Sequence, residues 1–168
     1  DREHDGLSRR IRASKRAVLQ TVKTPKNEER AREKLAAACV SNARKLLEAD
    51  GVEVVAVIVN RVDTARQVAM LAEKEAERCR WTVHLLTGRM RPLDRRDLLR
   101  RIEPDLLAGR DRGLGRRVLL VSTQAIEAGA DFDFDALVTE CASLDALRQR
   151  FGRLDRLGAL GVAHAIIV

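Results

Sequence analysis

The segment QRFGRLDR, residues 149 to 156, carries side chains that are suited to binding an anion. Gln149, Arg153 and Arg156 follow one another at spacings of four and three, which places them on one face of a helix. The apolar residues of the same segment are Leu144, Leu147, Phe151 and Leu154. At about 100° per residue the polar face lies opposite this apolar stripe, so it is directed at water or at a ligand. On spacing alone, a solvated helix face is the simpler interpretation.

Length and charge set the first bounds on function. The chain has 168 residues, enough for one domain with a hydrophobic core and few for two. Its net charge is +7, from 32 basic and 25 acidic residues, which favours a polyanionic partner. Because 26 of the 32 basic residues are arginine, as a GC-rich genome would also produce, several arginines on one helix face can arise by chance.

Membrane and metal functions are not predicted. No apolar run approaches the roughly 18 residues that a membrane span needs, and the first residues do not resemble a signal peptide. The three cysteines form no CxxC pair and the three histidines show no ligand spacing, so we predict no metal site. A cytoplasmic protein with reduced thiols is expected.

Hydrophobic periodicity predicts an alternation of helices and strands. The predicted helices are 7–22, 28–47 capped by Asn27, 63–78 capped by Asp63, 94–108 opened by Asp94, and one that follows Ser143. The predicted strands are 52–60, 81–86, 118–122, 135–140 and 161–168. The alternation implies right-handed crossovers and an α/β fold, with a parallel sheet sandwiched by helices. We expect a single domain over 1–168, with leading helices in 1–50 and a βα core in 51–168.

Polar segments follow three of the predicted strands. They are NRVDTAR (60–66), TGRMRPLDRR (87–96) and STQAIEAGAD (122–131). Ligands of parallel sheets bind outside the carboxyl ends of the strands, so these segments and the QRFGRLDR helix predict a binding site there. Asn60 after a strand is more often a strand-end cap than a ligand contact, whereas Arg89 and Arg95 suit a phosphate contact and a basic loop and helix start equally well. Asp133 and Asp135 are expected to stabilise local turn geometry.

Two of these segments resemble known helicase motifs. VLLVSTQAIEAGADFDFD followed by QRFGRLDR resembles motifs V and VI in the second RecA-like domain of superfamily 2 helicases, and VVAVIVNRVDTA falls where motif IV belongs. STQAIEAGADFDFD with ECASLDALRQRFGRLDR is more closely similar to the helicase part of the CRISPR-associated helicase–nuclease of type I systems. Many superfamily 2 members have Gly where this chain has Asp155; the helicase–nuclease family tolerates other residues there.

The resemblance implies a RecA-like fold and a role for each motif residue. Arg156 would be an arginine finger, Arg153 would also bind phosphates, and Gln149 would couple nucleotide to nucleic acid. Gly129 would permit close backbone approach, and Asp131 would meet the ribose or the motif VI arginines. The nucleic-acid contacts expected from the strand ends and the motifs are Asn60, Thr87, Gly88, Arg89, Arg95, Thr123 and Gln124.

The sequence contains neither a GxxxxGK[ST] loop nor a DExD/H box. The chain is therefore expected to supply half of an ATPase site, to be inactive alone, and to have been excised from a longer protein. By resemblance, its own N-terminal RecA-like lobe would hold ATP and Mg²⁺, and single-stranded DNA and a CRISPR guide-RNA surveillance complex would be its partners. Two alternatives remain open: a lobe of another superfamily 2 helicase acting on RNA or in repair, and a nucleic-acid-binding α/β module without ATP coupling.

Overall fold

The computed structural model describes residues 2–113, 115–127 and 131–168. Its α-helices are α1 (Arg2–Arg12), α2 (Glu28–Leu47), α3 (Val62–Cys79), α4 (Pro92–Leu106) and α5 (Leu144–Phe151), with a short 3₁₀ helix at Gln124–Glu127. Its strands are β1 (Ser14–Leu19), β2 (Val54–Ile58), β3 (Trp81–Leu86), β4 (Arg117–Ser122), β5 (Ala136–Thr139) and β6 (Val162–Ile167).

All six strands run parallel, in the order β1-β6-β5-β2-β4-β3. The central strand β2 is buried at every position, because helices cover both faces of the sheet. Val55 and Val57 pack with α2 and α3 on one face, whereas Ala56 and Ile58 pack with α4 on the other. The predicted α/β fold with a helix-covered parallel sheet is confirmed.

Two predicted elements match the structure at both ends, and two predicted caps do not. Helix α2 and strand β3 have the predicted bounds, and the Asn27 side chain accepts a hydrogen bond from the Arg30 amide at 3.0 Å. Asp63 and Asp94 are not caps: α3 begins at Val62 and α4 at Pro92, so both acids lie in the first turn. There they face the positive end of the helix dipole, which explains the acidic signal.

The prediction of one helix over 7–22 is wrong. Helix α1 ends at Arg12, and the chain then forms β1, an edge strand that pairs in parallel with β6 from Ser14↔Val162 to Leu19↔Ile167. Every residue of β1 is exposed, so no buried face imposes a period of two on its sequence. A strand of this kind is specified by the β6 edge that it pairs with, which local periodicity does not reveal.

Amide hydrogen exchange distinguishes this edge strand from a helix. The Ser14 amide donates to Gly161 O and the Gln20 amide donates to Ile167 O, both at 2.8 Å, so the even-numbered amides face β6. We expect protection at Ser14, Arg16, Val18 and Gln20 and fast exchange at the amides between them. Protection of every consecutive amide over 14–20, measured by NMR, would indicate the helix instead.

Candidate functional site

The ends of β2, β4 and β3 lie side by side in the sheet, and the polar segments that follow them meet at this carboxyl edge. The Ser122 hydroxyl, at the end of β4, donates to Leu86 O at 2.8 Å. The next amide, that of Thr123, also donates to Leu86 O, at 3.4 Å. These bonds bring the segments that start at Thr87 and Thr123 together, as the sequence predicted.

Exposure divides the expected nucleic-acid contacts at this edge. Gly88, Arg89 and Gln124 are exposed, whereas Thr87 and Thr123 are only 5% and 4% exposed. Exposed groups can reach a phosphate backbone directly, whereas the side chains of Thr87 and Thr123 are packed inside the fold.

Arg95 has a defined partner within the fold. Its Nη2 donates to Ala125 O at 2.9 Å, and the side chain is half-buried. This bond ties the first turn of α4 to the 3₁₀ helix that follows β4. The sequence left open whether Arg95 binds phosphate or belongs to a basic helix start. The bond to Ala125 O supports a structural role at the helix start, and phosphate binding by Arg95 stays a prediction.

Asn60 is engaged at both ends of its amide group. Its Nδ2 donates to Cys141 O at 2.9 Å, and its Oδ1 accepts from Arg150 Nη2 at 2.9 Å. Its backbone amide donates to Glu140 Oε2 at 2.7 Å. These contacts favour the strand-end role for Asn60, in which it joins the end of β2 to the segment after β5.

Arg150 is a residue that the sequence analysis missed. It is 0% exposed, and its Nη1 donates to Thr139 Oγ1 at 2.8 Å and to Glu140 O at 3.0 Å, in addition to its bond to Asn60. Its burial could have been inferred from its position in the sequence. Arg150 lies three residues after Leu147 and four before Leu154, which places it beside the apolar stripe of the predicted helix. Arg150 fixes α5 to the ends of β2 and β5.

Helix α5 is shorter than predicted, which corrects the position of the arginines. Ser143 caps it as expected, accepting from the Ala146 amide at 3.4 Å, but the helix ends at Phe151. Arg153 and Arg156 therefore lie in the turn after the helix and not on a helical face, while Gln149 is exposed on α5 itself. Leu144, expected in the core, is 74% exposed.

The reason for this early end is a long-range backbone pairing. The Phe134 amide donates to Arg153 O and the Asp155 amide donates to Phe134 O, both at 2.8 Å. Residues 153–155 thus pair with the segment that leads into β5, and that segment supplies the backbone partners that a longer helix would have supplied. The arginines are consequently placed beside 131–135, in a group separate from the carboxyl-edge residues.

The backbone conformation at position 155 explains why aspartate can stand where many superfamily 2 helicases have glycine. Its φ is +40°, in the left-handed region that glycine adopts most easily. Aspartate tolerates this region because its short side chain bonds to nearby backbone, and here Oδ1 accepts from the Leu160 amide at 3.1 Å. Position 155 therefore has a backbone conformation that suits both glycine and aspartate.

Arg156 meets Asp131 at the surface. Its Nη2 lies 2.7 Å from Asp131 Oδ1, with 36% of the Arg156 side chain and 59% of the Asp131 side chain exposed. Arg153 is half-buried in the same turn. The structure therefore brings Asp131 and a motif VI arginine together, as the resemblance implied. Gly129 lies outside the described residues.

Residues 152–156, which follow α5 and carry Arg153 and Arg156, are called the arginine turn below. Two buried carboxylates, Asp133 and Asp135, support this turn on the side that faces the fold. Asp133 Oδ1 accepts from the Arg156 amide at 2.8 Å, and its Oδ2 accepts from Arg112 Nη2 at 2.9 Å. Asp135 Oδ1 accepts from Arg110 Nη2 at 2.6 Å and also from Arg112 Nη1. The side chains of both acids are at most 2% exposed, and that of Arg110 is 3% exposed.

The second oxygen of Asp135 reaches a third segment. It accepts from the amides of Glu53 and Val54, at 2.9 and 2.8 Å, where β2 begins. The carboxylates thus join the loop after α4, the start of β2 and the arginine turn. The predicted role of Asp133 and Asp135 in local turn geometry was too narrow.

Among the described residues, no group of three or more His, Cys, Asp or Glu side chains is arranged to hold a metal ion. The described helices include none that is long and apolar enough to cross a membrane. The three cysteines are free, and burial raises the pKa of Cys39 to about 12, which keeps this thiol neutral.

Comparisons with known proteins agree with the motif assignment. Residues 51–159 match the family model described as CRISPR-associated nuclease/helicase Cas3, C-terminal. CRISPR-associated endonuclease/helicase Cas3 of Escherichia coli (strain K12) is 37% identical over 102 residues, which are 61% of this chain and 11% of that protein. The chain therefore spans about a tenth of the length of that relative.

Solved structures agree on the fold. T. fusca Cas3-ADP superposes with a TM-score of 0.73 at 21% identity, covering 92% of this chain and 18% of that one. A chain of a CRISPR RNA-guided surveillance complex superposes with a TM-score of 0.66 at 22% identity, covering 92% of this chain and 18% of that one. The yeast DEAD-box splicing factor Prp28 superposes with a TM-score of 0.56 at 18% identity, covering 91% of this chain and 28% of that one. The fold is that of a RecA-like helicase domain, as predicted.

The buried carboxylates give a stability prediction. Asp135→Asn breaks the shorter of the two buried ion pairs of Arg110 and leaves only Asp133, at 3.8 Å, to compensate this guanidinium. Breaking a buried ion pair costs about 3–5 kcal/mol. We expect a loss of this size in the free energy of unfolding, measured by urea denaturation of the chain. Asp105→Asn is the matched control: it removes an ion pair with Arg116, whose side chain is 61% exposed, and should cost under about 1 kcal/mol. Equal losses in the two variants would contradict the network.

Proposed function

Because the chain belongs to the family described as CRISPR-associated nuclease/helicase Cas3, C-terminal, we propose that it is the second RecA-like lobe of an ATP-dependent DNA helicase acting in CRISPR interference. The observation that carries the proposal is the arginine turn. Arg156 is half-exposed beside Asp131, and the buried Asp133 fixes its backbone from behind. Such a guanidinium is held in place yet able to reach a ligand outside its own lobe.

On the nucleotide side, Arg156 and Arg153 stabilise the transferring phosphoryl group. Negative charge is spread over the γ-phosphoryl oxygens during transfer, and a guanidinium offers a planar fork of donors to them. Arginine fingers contribute roughly 10³–10⁵ in rate, equivalent to about 4–7 kcal/mol. Asp131 orients Arg156 until nucleotide arrives, and then accepts from the ribose or keeps its contact with the arginine.

ATP and Mg²⁺ are assigned to a partner lobe of the same protein. In the part of the chain that the structure describes, no group of three or more His, Cys, Asp or Glu side chains is arranged to hold a metal, and the sequence has no GxxxxGK[ST] loop for the β- and γ-phosphates. Arg153 and Arg156 fit the complementary half, because they present cationic donors to a phosphate. The likeness to T. fusca Cas3-ADP supports nucleotide use in the intact protein.

On the nucleic-acid side, the carboxyl edge binds the backbone of single-stranded DNA. Gly88 offers an unhindered amide, and Arg89 and Gln124 offer exposed donors. Contacts to phosphate carry no sequence information, so a guide-RNA surveillance complex selects the target. The likeness to a CRISPR RNA-guided surveillance complex supports that partnership.

Helix α5 connects the nucleotide side, which is the arginine turn, with the nucleic-acid side, which is the carboxyl edge of the sheet. Arg150 joins its last turn to Asn60 and Thr139 at the strand ends, while Arg153 and Arg156 follow the same helix directly. A shift of the strand ends on DNA binding is therefore passed to the arginine turn. Gln149, exposed between the two ends, completes the coupling that the motif implies.

Arg156→Ala tests the finger in the full-length protein. We expect its DNA-stimulated ATPase rate to fall by roughly 10³–10⁵, because the charge on the transferring phosphoryl group loses its guanidinium partner. Arg148→Ala, which removes an exposed arginine of α5, should keep turnover near that of the wild type. If Arg156→Ala leaves turnover intact while DNA binding persists, the alternative of a binding module without ATP coupling is favoured.

Arg89→Gln tests the nucleic-acid edge through salt dependence. For single strands, the slope of log affinity against log salt is about −0.7 per phosphate contact, so losing one contact should make the slope shallower by about 0.7. The loss of affinity should be the same for unrelated DNA sequences. Both quantities are measured by fluorescence anisotropy with the full-length protein. Arg78→Gln is the control, since it lies at the end of α3, next to the amino end of β3. An unchanged slope in Arg89→Gln would place the DNA elsewhere.

A further inference from the structure

The start of the chain contacts both ends of the arginine turn. The Nζ of Lys15, on β1, donates to Phe151 O at 2.8 Å, where α5 ends. The Nε of Arg10, on α1, donates to Arg156 O at 3.1 Å. We refer to Arg10 and Lys15 as the clamp, because their two bonds enclose the residues from Phe151 to Arg156.

A glycine allows α1 to come this close. Gly158 has φ +69°, and a Cβ at this position would lie 2.8 Å from the backbone oxygen of Arg9. Contacts under 3.0 Å are not made by real Cβ atoms, so a side chain at position 158 would push α1 away from the turn. The approach of α1 is thus specified at a third point, independent of the two clamp bonds.

The clamp lies among the carboxylates that support the turn. Lys15 interacts electrostatically with Asp155 and Asp133, and it is repelled by Arg10 and Arg156. Asp155 is 1% exposed, and its Oδ2 has no hydrogen-bond partner among the described residues. The positive charge of Lys15 therefore offsets a buried negative charge inside the arginine turn.

The turn is held from two sides. The segment before β5 holds one side, through Asp133 and the pairing of Phe134 with 153–155. The clamp holds the backbone carbonyls at the start and end of the turn. We propose that Arg10 and Lys15 are positioning residues for Arg153 and Arg156, so that removing the clamp slows phosphoryl transfer without weakening nucleotide binding. This inference rests on the proposed function.

The expected effect follows from how strictly catalysis depends on geometry. A displacement of about 1 Å at a catalytic group costs up to about 100-fold in rate. We expect Lys15→Met in the full-length protein to lower the kcat of the DNA-stimulated ATPase by about 10- to 100-fold. The KM for ATP should stay within about twofold, because Lys15 contacts the backbone of the turn and not the nucleotide.

The matched control is Arg16→Met. Arg16 is the next residue of β1, so its side chain points to the opposite side of the sheet, and it is exposed. The substitution removes the same charge from the same strand. Equal kcat values for Lys15→Met and Arg16→Met would overturn the proposal. Arg10→Gln, with Arg12→Gln as its control, gives the same comparison if Lys15→Met does not fold.

A double-mutant cycle separates positioning from general destabilisation. If Lys15 acts through Arg153 and Arg156, adding Lys15→Met to a variant that carries both Arg153→Ala and Arg156→Ala should cost little further activity. A structural defect would multiply the two losses, and this result would overturn the proposal. Full turnover in Arg156→Ala alone would instead refute the proposed function, so the two failures can be told apart.

The pH profile provides a further readout. The Lys15 residue as a whole is exposed, but burial of its ammonium group lowers the pKa below the ordinary lysine value. An arginine at this position stays protonated throughout the alkaline range. Lys15→Arg should therefore restore most of the turnover, and its alkaline decline should begin at a higher pH than in the wild type. An identical alkaline limb in both proteins would contradict a role for the Lys15 charge.

Discussion

The burial of Asp133 and Asp135 against Arg110 and Arg112 is the interaction on which the candidate site depends. Two carboxylates with side chains at most 2% exposed accept from two guanidinium groups and from three backbone amides, one of them that of Arg156. A buried charge that loses its partner is far more costly than a surface pair. The network therefore fixes where the chain must return after α5, and with it the place from which Arg156 projects.

Three arginines of one short segment have different environments and hence different roles. Arg150 is fully buried and ties α5 to the ends of β2 and β5, so it acts within the fold. Arg153 and Arg156 lie past the end of the helix in a turn that is half-exposed. A rigid backbone under a partly exposed guanidinium is the arrangement that transition-state stabilisation requires, because the donors are oriented before the reaction starts.

Much of the fold could be predicted from the sequence, because buried elements carry strong patterns. The β-branched run of β2 reflects burial on both faces, and Asn27 marks the start of α2. Strand β1 could not be predicted, since a fully exposed edge strand has no buried face to read. The candidate site was found through its motif, but its geometry was not. The end of α5 depends on pairing with Phe134, and the burial of Arg150 depends on Asn60, both distant in sequence.

In the proposed function, Arg156 reaches a nucleotide that is held by another lobe. A structure of the full-length protein with DNA, ADP and a metal-fluoride analogue of the transferring phosphoryl group measures this directly. We expect the Arg156 guanidinium within about 3.2 Å of the analogue, with the Arg156 backbone amide still bonded to Asp133. A guanidinium that stays on Asp131, with solvent or a different residue against the analogue, would contradict this proposal.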